Sequence, residues 1–292
     1  MNDPLVTIIC LCYNHERFIE EALESVFSQD YPSLEVIVVD DASTDESVKK
    51  INDLASKYDF TFIKNAENIG NCKSFNKAFS LAKGAYIIDF ATDDILGKEQ
   101  VTKQVKAFEE SRSNVGIVFS NASLINEEGE FVKHHYPVNK YLKLTSRIPS
   151  GDVYSELVKR YFICPPSMMI KKEVLDELNG YDESLAYEDF DFWVKSSRKW
   201  NYYFLDVPLV KKRITRHSLS TRFENRSHSE KMYKSTLEVC QKAYLLNETK
   251  NEYKALLFRI GYEGKQALKL LHFSLFLKFV NLWVKSFWKA FF

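Results

Sequence analysis

The run Tyr86-Ile87-Ile88-Asp89-Phe90-Ala91-Thr92-Asp93-Asp94 constrains the fold more than any other stretch of this chain, because an apolar strand ends there in two adjacent carboxylates. Side-by-side acids repel each other and are best explained by a divalent cation that answers them. Open α/β sheets bind ligands outside the carboxyl ends of their strands, so the doublet predicts such an edge with a nucleotide phosphate at it. Residues 5–12 are a near-continuous apolar run, as expected of a central strand buried on both faces. Phe18, Ile19, Ala22, Leu23, Val26 and Phe27 then repeat at helical spacing, with Glu16, Glu20, Glu21 and Glu24 on the other side. A second strand over 34–39 runs into Asp40-Asp41-Ala42-Ser43-Thr44-Asp45-Glu46, where Ser43 and Glu46 have capping-box spacing before a helix around Val48, Ile51 and Leu54. A short strand near 60–63, a helix across 73–82 and a strand over 85–90 complete a β-α-β-α-β-α-β pattern, which implies a parallel sheet.

Right-handed crossovers bring the carboxyl ends of successive parallel strands to one side, so Asp40, Asp41, Asp93 and Asp94 should meet on one edge. Helix capping accounts for Asp45, but not for two acid doublets at two strand ends. None of the nine glycines forms Gly-x-Gly, and there is no Gly-Lys-Ser/Thr loop, so phosphate is expected to be held by metal and not by a glycine-rich turn. Lys plus Arg and Asp plus Glu number 40 each, which leaves no overall basic field and argues against a nucleic-acid partner. The five cysteines lack metal-ligand spacing and read as reduced thiols of a cytoplasmic protein. Met1-Asn2-Asp3-Pro4 has no basic segment followed by an apolar one, so no signal peptide is expected.

Six segments stand in order through the first half: Val6-Thr7-Ile8-Ile9-Cys10-Leu11-Cys12-Tyr13-Asn14, Val38-Val39-Asp40-Asp41-Ala42-Ser43-Thr44-Asp45, Asn68-Ile69-Gly70, Asn76, Ala82-Lys83-Gly84-Ala85-Tyr86-Ile87 and Thr92-Asp93-Asp94. Gly180-Tyr181-Asp182-Glu183 and Tyr187-Glu188-Asp189-Phe190-Asp191-Phe192-Trp193 follow. In this order and spacing the chain resembles the family-2 inverting glycosyltransferases of GT-A fold, of the bacterial cell-surface polysaccharide type. The resemblance implies an α/β, Rossmann-like, mostly parallel sheet flanked by helices. It also implies transfer of a sugar from a nucleotide diphosphate-sugar, with UDP the expected carrier, to a hydroxyl of a glycan or lipid-linked glycan.

The resemblance also assigns residues. Tyr13 is placed to stack on a pyrimidine, and Asp40 or Asp41 to accept its ring N–H. Asn14, Asn68, Gly70, Asn76 and Thr92 complete the nucleotide pocket. Asp93 matches the acid that coordinates Mn²⁺ or Mg²⁺ between the phosphates, with Asp94 as helper. His217 would contact metal or pyrophosphate, with Arg213 or Arg216 on phosphate oxygens. The family's Asp-x-Asp has Ala91 at its first acid here, with Asp89 two residues earlier, and Phe75 stands where the family often has a basic residue before Asn76, which leaves Lys73 as the nearest cation that could touch phosphate. An acceptor hydroxyl needs a general base. Helical periodicity puts Asp189 and Asp191 about 200° apart and does not choose between them; the family's Glu-Asp pattern assigns the base to Asp189, with Glu188 as an acceptor or supporting contact. The Gln/Arg-x-x-Arg-Trp signature of the family's processive members is missing at Trp200, so the resemblance implies one sugar per encounter.

These expectations divide the chain into a glycosyltransferase domain over 1–225, with a nucleotide-binding half (1–110) and an acceptor half (111–225), and a helical region over 226–292. Residues 264–292 hold five lysines and no Asp or Glu, and Ser274, Lys278, Asn281, Lys285 and Lys289 share one narrow helical face. This profile fits a peripheral helix on the anionic inner face of a cell membrane, with Trp283 and Trp288 at headgroup depth. The alternative is docking on the catalytic domain, or on a second subunit in a homo-oligomer. Lysines interrupt every apolar window of about 20 residues, so a membrane span is not expected. Two other functions compete: a catalytically silent GT-A-like binding module, and a sugar nucleotidyltransferase, which would open with a glycine- and arginine-rich loop where this chain has Cys12-Tyr13-Asn14-His15.

Overall fold

A computed structural model describes residues 3–111, 114–215, 223 and 226–292. In chain order the elements are β1 (Val6–Cys12), α1 (Ile19–Phe27), β2 (Leu34–Asp40), α2 (Ser47–Ala55), β3 (Thr61–Lys64), α3 (Asn71–Phe79), β4 (Tyr86–Ala91), β5 (Ile95–Leu96), α4 (Gln100–Glu110), β6 (Val115–Ile125), β7 (Phe131–His134) and α5 (Tyr154–Lys159). A 3₁₀ turn (Pro165–Ser167) precedes β8 (Met169–Lys171), α6 (Lys172–Leu178), α7 (Asp189–Ser196), β9 (Asn201–Arg213), α8 (Arg226–Leu246), α9 (Lys250–Lys269) and α10 (Phe273–Phe291).

The chain divides into two compact units. The first comprises Met1–Gly151, Ile163–Tyr181 and Trp200–Thr215. It holds one sheet in the order β3-β2-β1-β4-β8-β6-β9-β5, with β7 added to β6. β3, β2, β1 and β4 are parallel to one another, as the alternating pattern predicts. All seven residues of β1 are buried, which explains its unbroken apolar run. The chain leaves β1 through α1 toward β2 and returns through α3 to place β4 on the opposite side of β1. The carboxyl ends of β1 and β4 therefore flank the point where winding direction reverses, and a ligand crevice opens there in such sheets.

Local details differ from the periodicity reading where polar side chains compete. Ser43 and Glu46 form no capping box: the Ser43 hydroxyl accepts from the Asn14 N–H at 2.9 Å, and α2 starts at Ser47, whose N–H donates to Asp45 at 3.0 Å. α3 begins directly after Gly70, whose φ of +90° a side chain would strain. β9 extends over 13 residues because it pairs with β6 along nearly its whole length.

The second unit comprises Asp152–Phe162, Asp182–Lys199 and Arg216–Phe292. Its core is drawn from α5, α7, α8, α9 and α10, with Phe190, Leu256, Ile260 and Phe279 at 0–1% exposure. α9 opens with a complete capping box between Thr249 and Glu252. Leu275, Phe279, Leu282, Ser286 and Ala290 are the buried face of α10, which packs on α9 and α8. One apolar side of the terminal helix is thus docked, while Leu277 (64%), Trp288 (58%) and Phe291 (51%) stay exposed on another. Among the described residues no helix is long and apolar enough to cross a membrane. All five cysteines are buried free thiols, and burial pushes the Cys12 thiol up to about 11.

Candidate active site

The turns that leave β1 and β4 are tied to each other. His15 Nδ1 lies 2.9 Å from the Thr92 hydroxyl, which itself donates to Leu11 O at 3.1 Å, so the fifteenth and ninety-second residues join the two strand ends. Asn14 sits at φ +57°, and its side-chain oxygen accepts from the Thr44 N–H at 2.8 Å. It therefore pins the turn after β2 beside the turn after β1. Tyr13 is held at this rim with 40% of its surface exposed.

The second acid doublet splits into two different roles. Asp41 is filled: Oδ1 accepts from Asn65 and from the Ile69 N–H, and Oδ2 from the Gly70 N–H, at 2.9–3.0 Å. It shapes the turn that carries exposed Asn68 and left-handed Gly70. Asp40 has no accessible surface; Oδ1 accepts from the Ser43 N–H at 3.0 Å, and Oδ2 has no hydrogen-bond partner. A buried carboxylate oxygen without a donor costs about 1–3 kcal/mol, more when charged, so this atom marks a position where a donor belongs. Asn76 holds the Gly180-Tyr181 turn with both ends of its amide, donating to Tyr181 O and accepting from Tyr181 N–H at 2.8 Å. Gly180 is required there, because its φ is +75° and a Cβ would collide with the Asn76 side-chain oxygen.

Asp93 and Asp94 also diverge. Asp93 is half-buried at the end of β4. Asp94 is 4% exposed and accepts from the Arg213 N–H at 2.7 Å; burial first, and then the Asp93 charge, pushes its carboxyl well above the ordinary range. Arg213 organises this turn from β9. Its Nε donates to Asp93 O at 2.9 Å, Nη1 to Asn126 O and Glu127 O, and Nη2 to Glu21 at 2.7 Å, while the guanidinium lies 4.6 Å from the Phe18 ring centre. With every nitrogen engaged in the protein, Arg213 is a buried strut and not the phosphate ligand its basic segment suggests. Nothing in the sequence marks it as such, because its partners lie 86–192 positions away. His217 and Arg216 lie outside the described residues. Among the described residues no group of three or more His, Cys, Asp or Glu is placed to hold a metal ion. Asp89 is a half-buried mid-strand residue, and Ala91 pairs with Leu11.

In the second unit, Glu188 and Asp189 are half-buried at the start of α7. Asp191 is 4% exposed and bound by two lysines, Lys195 at 2.7 Å and Lys242 at 2.9 Å. Asp191 is thus neutralised inside the unit by its two lysines.

The profile of glycosyl transferase family 2 matches residues 7–178. An uncharacterised glycosyltransferase of Methanocaldococcus jannaschii is 30% identical over 219 residues, covering 73% of this chain and 72% of the relative. Staphylococcus aureus TarS 1–349, solved in complex with UDP-GlcNAc, shares the fold at a TM-score of 0.68 and 18% identity, over 97% of this chain and 79% of that one. The mannosyltransferase PcManGT of Pyrobaculum calidifontis, solved with GDP-Man and Mn²⁺, does so at 0.62 and 19%, over 98% and 88%. This chain therefore belongs to glycosyl transferase family 2, the GT-A enzymes that move a sugar from a nucleotide-diphosphate sugar to an acceptor.

Proposed function

We propose that this enzyme transfers one sugar per encounter, with inversion and with the help of a divalent cation, from a UDP-sugar to a hydroxyl of a glycan or lipid-linked glycan. The observation that carries the reading is the sheet edge at the carboxyl ends of β2, β1 and β4, where an exposed tyrosine, an orphaned carboxylate oxygen and an acid doublet belong to adjacent turns. Tyr13 stacks on the base, and the base on entering uncovers the enclosed Asp40 Oδ2 and donates to it the imide N–H that uracil presents and cytosine lacks. Asn68 and the Gly70 turn line the nucleotide side, with Thr92 and Asn14 holding the rim.

The donor set suits Mn²⁺ or Mg²⁺. Such cations are bound through one or two carboxylates completed by substrate phosphates, not by an all-protein cage. A half-buried Asp93 backed by Asp94, with no third protein ligand among the described residues, fits that demand. The cation would neutralise the charge that gathers on the departing diphosphate. His217 would add a third contact. Arg213 keeps the Asp93 carbonyl and the Asp94 carboxyl in place, so the doublet need not reorganise when the donor arrives.

Asp189 takes the proton of the acceptor hydroxyl as its oxygen bonds to the anomeric carbon and the carbon–phosphate-oxygen bond breaks, a single displacement that inverts the centre. Glu188 contacts the acceptor. The division into a donor half (1–110), an acceptor half (111–225) and a helical region (226–292) belongs to the same reading, as do attachment to a bacterial surface glycan and a membrane-side location. A panel of nucleotide-sugars, each with Mn²⁺, tests it by thermal stabilisation. A UDP-sugar at 100 times its Kd adds about 2.7 kcal/mol, a shift of several degrees. A panel in which only GDP-sugars shift the melting temperature would exclude UDP, and one in which no nucleotide-sugar does would remove the donor site.

A further inference from the structure

The segment that carries Glu188 and Asp189 is gripped by one face of α8, a helix that lies beyond the family-2 match. Lys242 of α8 reaches both ends of the segment, bonding Asp182 at 2.6 Å and Asp191 at 2.9 Å. Between those two acids the Ala186 N–H donates to the Ser235 hydroxyl at 2.8 Å. The Tyr187 hydroxyl lies 2.6 Å from Thr236 Oγ1 and 2.9 Å from the Tyr161 hydroxyl. Because Thr236 donates to Met232 O at 3.1 Å, the proton order is fixed: Tyr161 donates to Tyr187, Tyr187 to Thr236, and Thr236 to the helix backbone. Ser235 and Lys242 are seven positions apart, two helical turns along one face. Residues 182, 186, 187 and 191 are thus held from one rigid helix, and the Glu188-Asp189 turn is the short span between the last two.

The grip is electrostatic as well as geometric. Without the ammonium, Asp182 and Asp191 would be like charges facing one vacated position. Burial works against the charged form of Asp182, but Lys242 and then Ser184 outweigh it and hold the carboxyl well below its usual range. The amine is correspondingly raised by the two acids, against its own burial.

We propose that Lys242, with Ser235 and Thr236, is a positioning device for the base-bearing turn, so that α8 is part of the catalytic apparatus and not an appendage to it. This rests on the assignment of the base to Asp189. The test uses the full chain and the nucleotide-sugar selected by the thermal panel, following its Mn²⁺-dependent hydrolysis, in which water replaces the acceptor. Lys242→Met should lower kcat about tenfold or more while the donor KM stays within about twofold, because the donor contacts are untouched. Lys242→Arg should restore most of the rate. Amide exchange of the first α7 turn, where the Phe192 N–H bonds Glu188 O at 3.0 Å, should speed up in the Met variant and not in the Arg variant. Should Lys242→Met fail to fold, Asp182→Asn, on the loop before α7, is expected to give a smaller loss of kcat with the same unchanged KM. Wild-type kcat in Lys242→Met or in Asp182→Asn, beside an inactive Asp189→Asn, would overturn the positioning role and leave the base in place. Wild-type rates in Asp189→Asn would overturn both.

Discussion

Asp41 has its two carboxylate oxygens engaged by Asn65, Ile69 and Gly70, whereas Oδ2 of its neighbour Asp40 is buried without a donor. Two identical side chains in one doublet thus have different chemistry, and only the folded chain separates them. Asp40→Asn keeps an oxygen for the Ser43 N–H and puts an N–H₂ where the orphan acceptor was. Facing the imide N–H of uracil, that donor should weaken UDP-sugar binding about tenfold or more, with the melting temperature of the unliganded protein unchanged or higher, since a buried charge has been removed. Calorimetric titration of the two proteins with UDP and Mn²⁺ reads this directly. Equal affinities would move the base away from Asp40. At Asp93 and Asp94 the same lesson holds: strand-end acids announce a site, but the Arg213 strut that distinguishes them comes from 120 residues further along.

At the scale of elements, β1, α1, β2, α2, α3 and β4 are legible in the sequence because each carries a period of burial, two-sided for the central strands and one-sided for the helices, while β3, none of whose residues is buried, is marked only by its short apolar run. What could not be read is where polar side chains choose among partners. Ser43 serves Asn14 and not a helix start, and β9 outgrows its apolar centre because β6 offers it a ladder. The terminal helix shows a similar limit. Its lysine row is visible in the sequence, but its remaining apolar residues divide into a docked face around Phe279 and an exposed face around Leu277, Val280, Val284 and Trp288. We propose that the exposed face, in a segment with five lysines and no Asp or Glu over 264–292, rests on an anionic lipid surface. Vesicles containing phosphatidylserine should sediment the full chain, added salt should weaken the association, and Leu277→Glu with Trp288→Glu should abolish it. Equal sedimentation with neutral vesicles, or retention by the double variant, would count against lipid as the occupant.

At the scale of the molecule, the first unit carries the proposed donor site at the carboxyl edge of its sheet, and the second holds the proposed base on α7 under the grip of α8. Family-2 membership follows from a profile match that ends at residue 178, before that base is reached. The catalytic reading therefore depends most on the diphosphate end of the donor, at the acid doublet. The direct measurement is hydrolysis of the panel's best UDP-sugar by the wild-type chain and by Asp93→Ala, each with Mn²⁺ and with chelator. Slow release of UDP by the wild type, lost with chelator and reduced at least about a hundredfold by Asp93→Ala, is the expected result. Release that proceeds equally in the variant, or that ignores the chelator, would contradict a cation held by Asp93 at the leaving diphosphate.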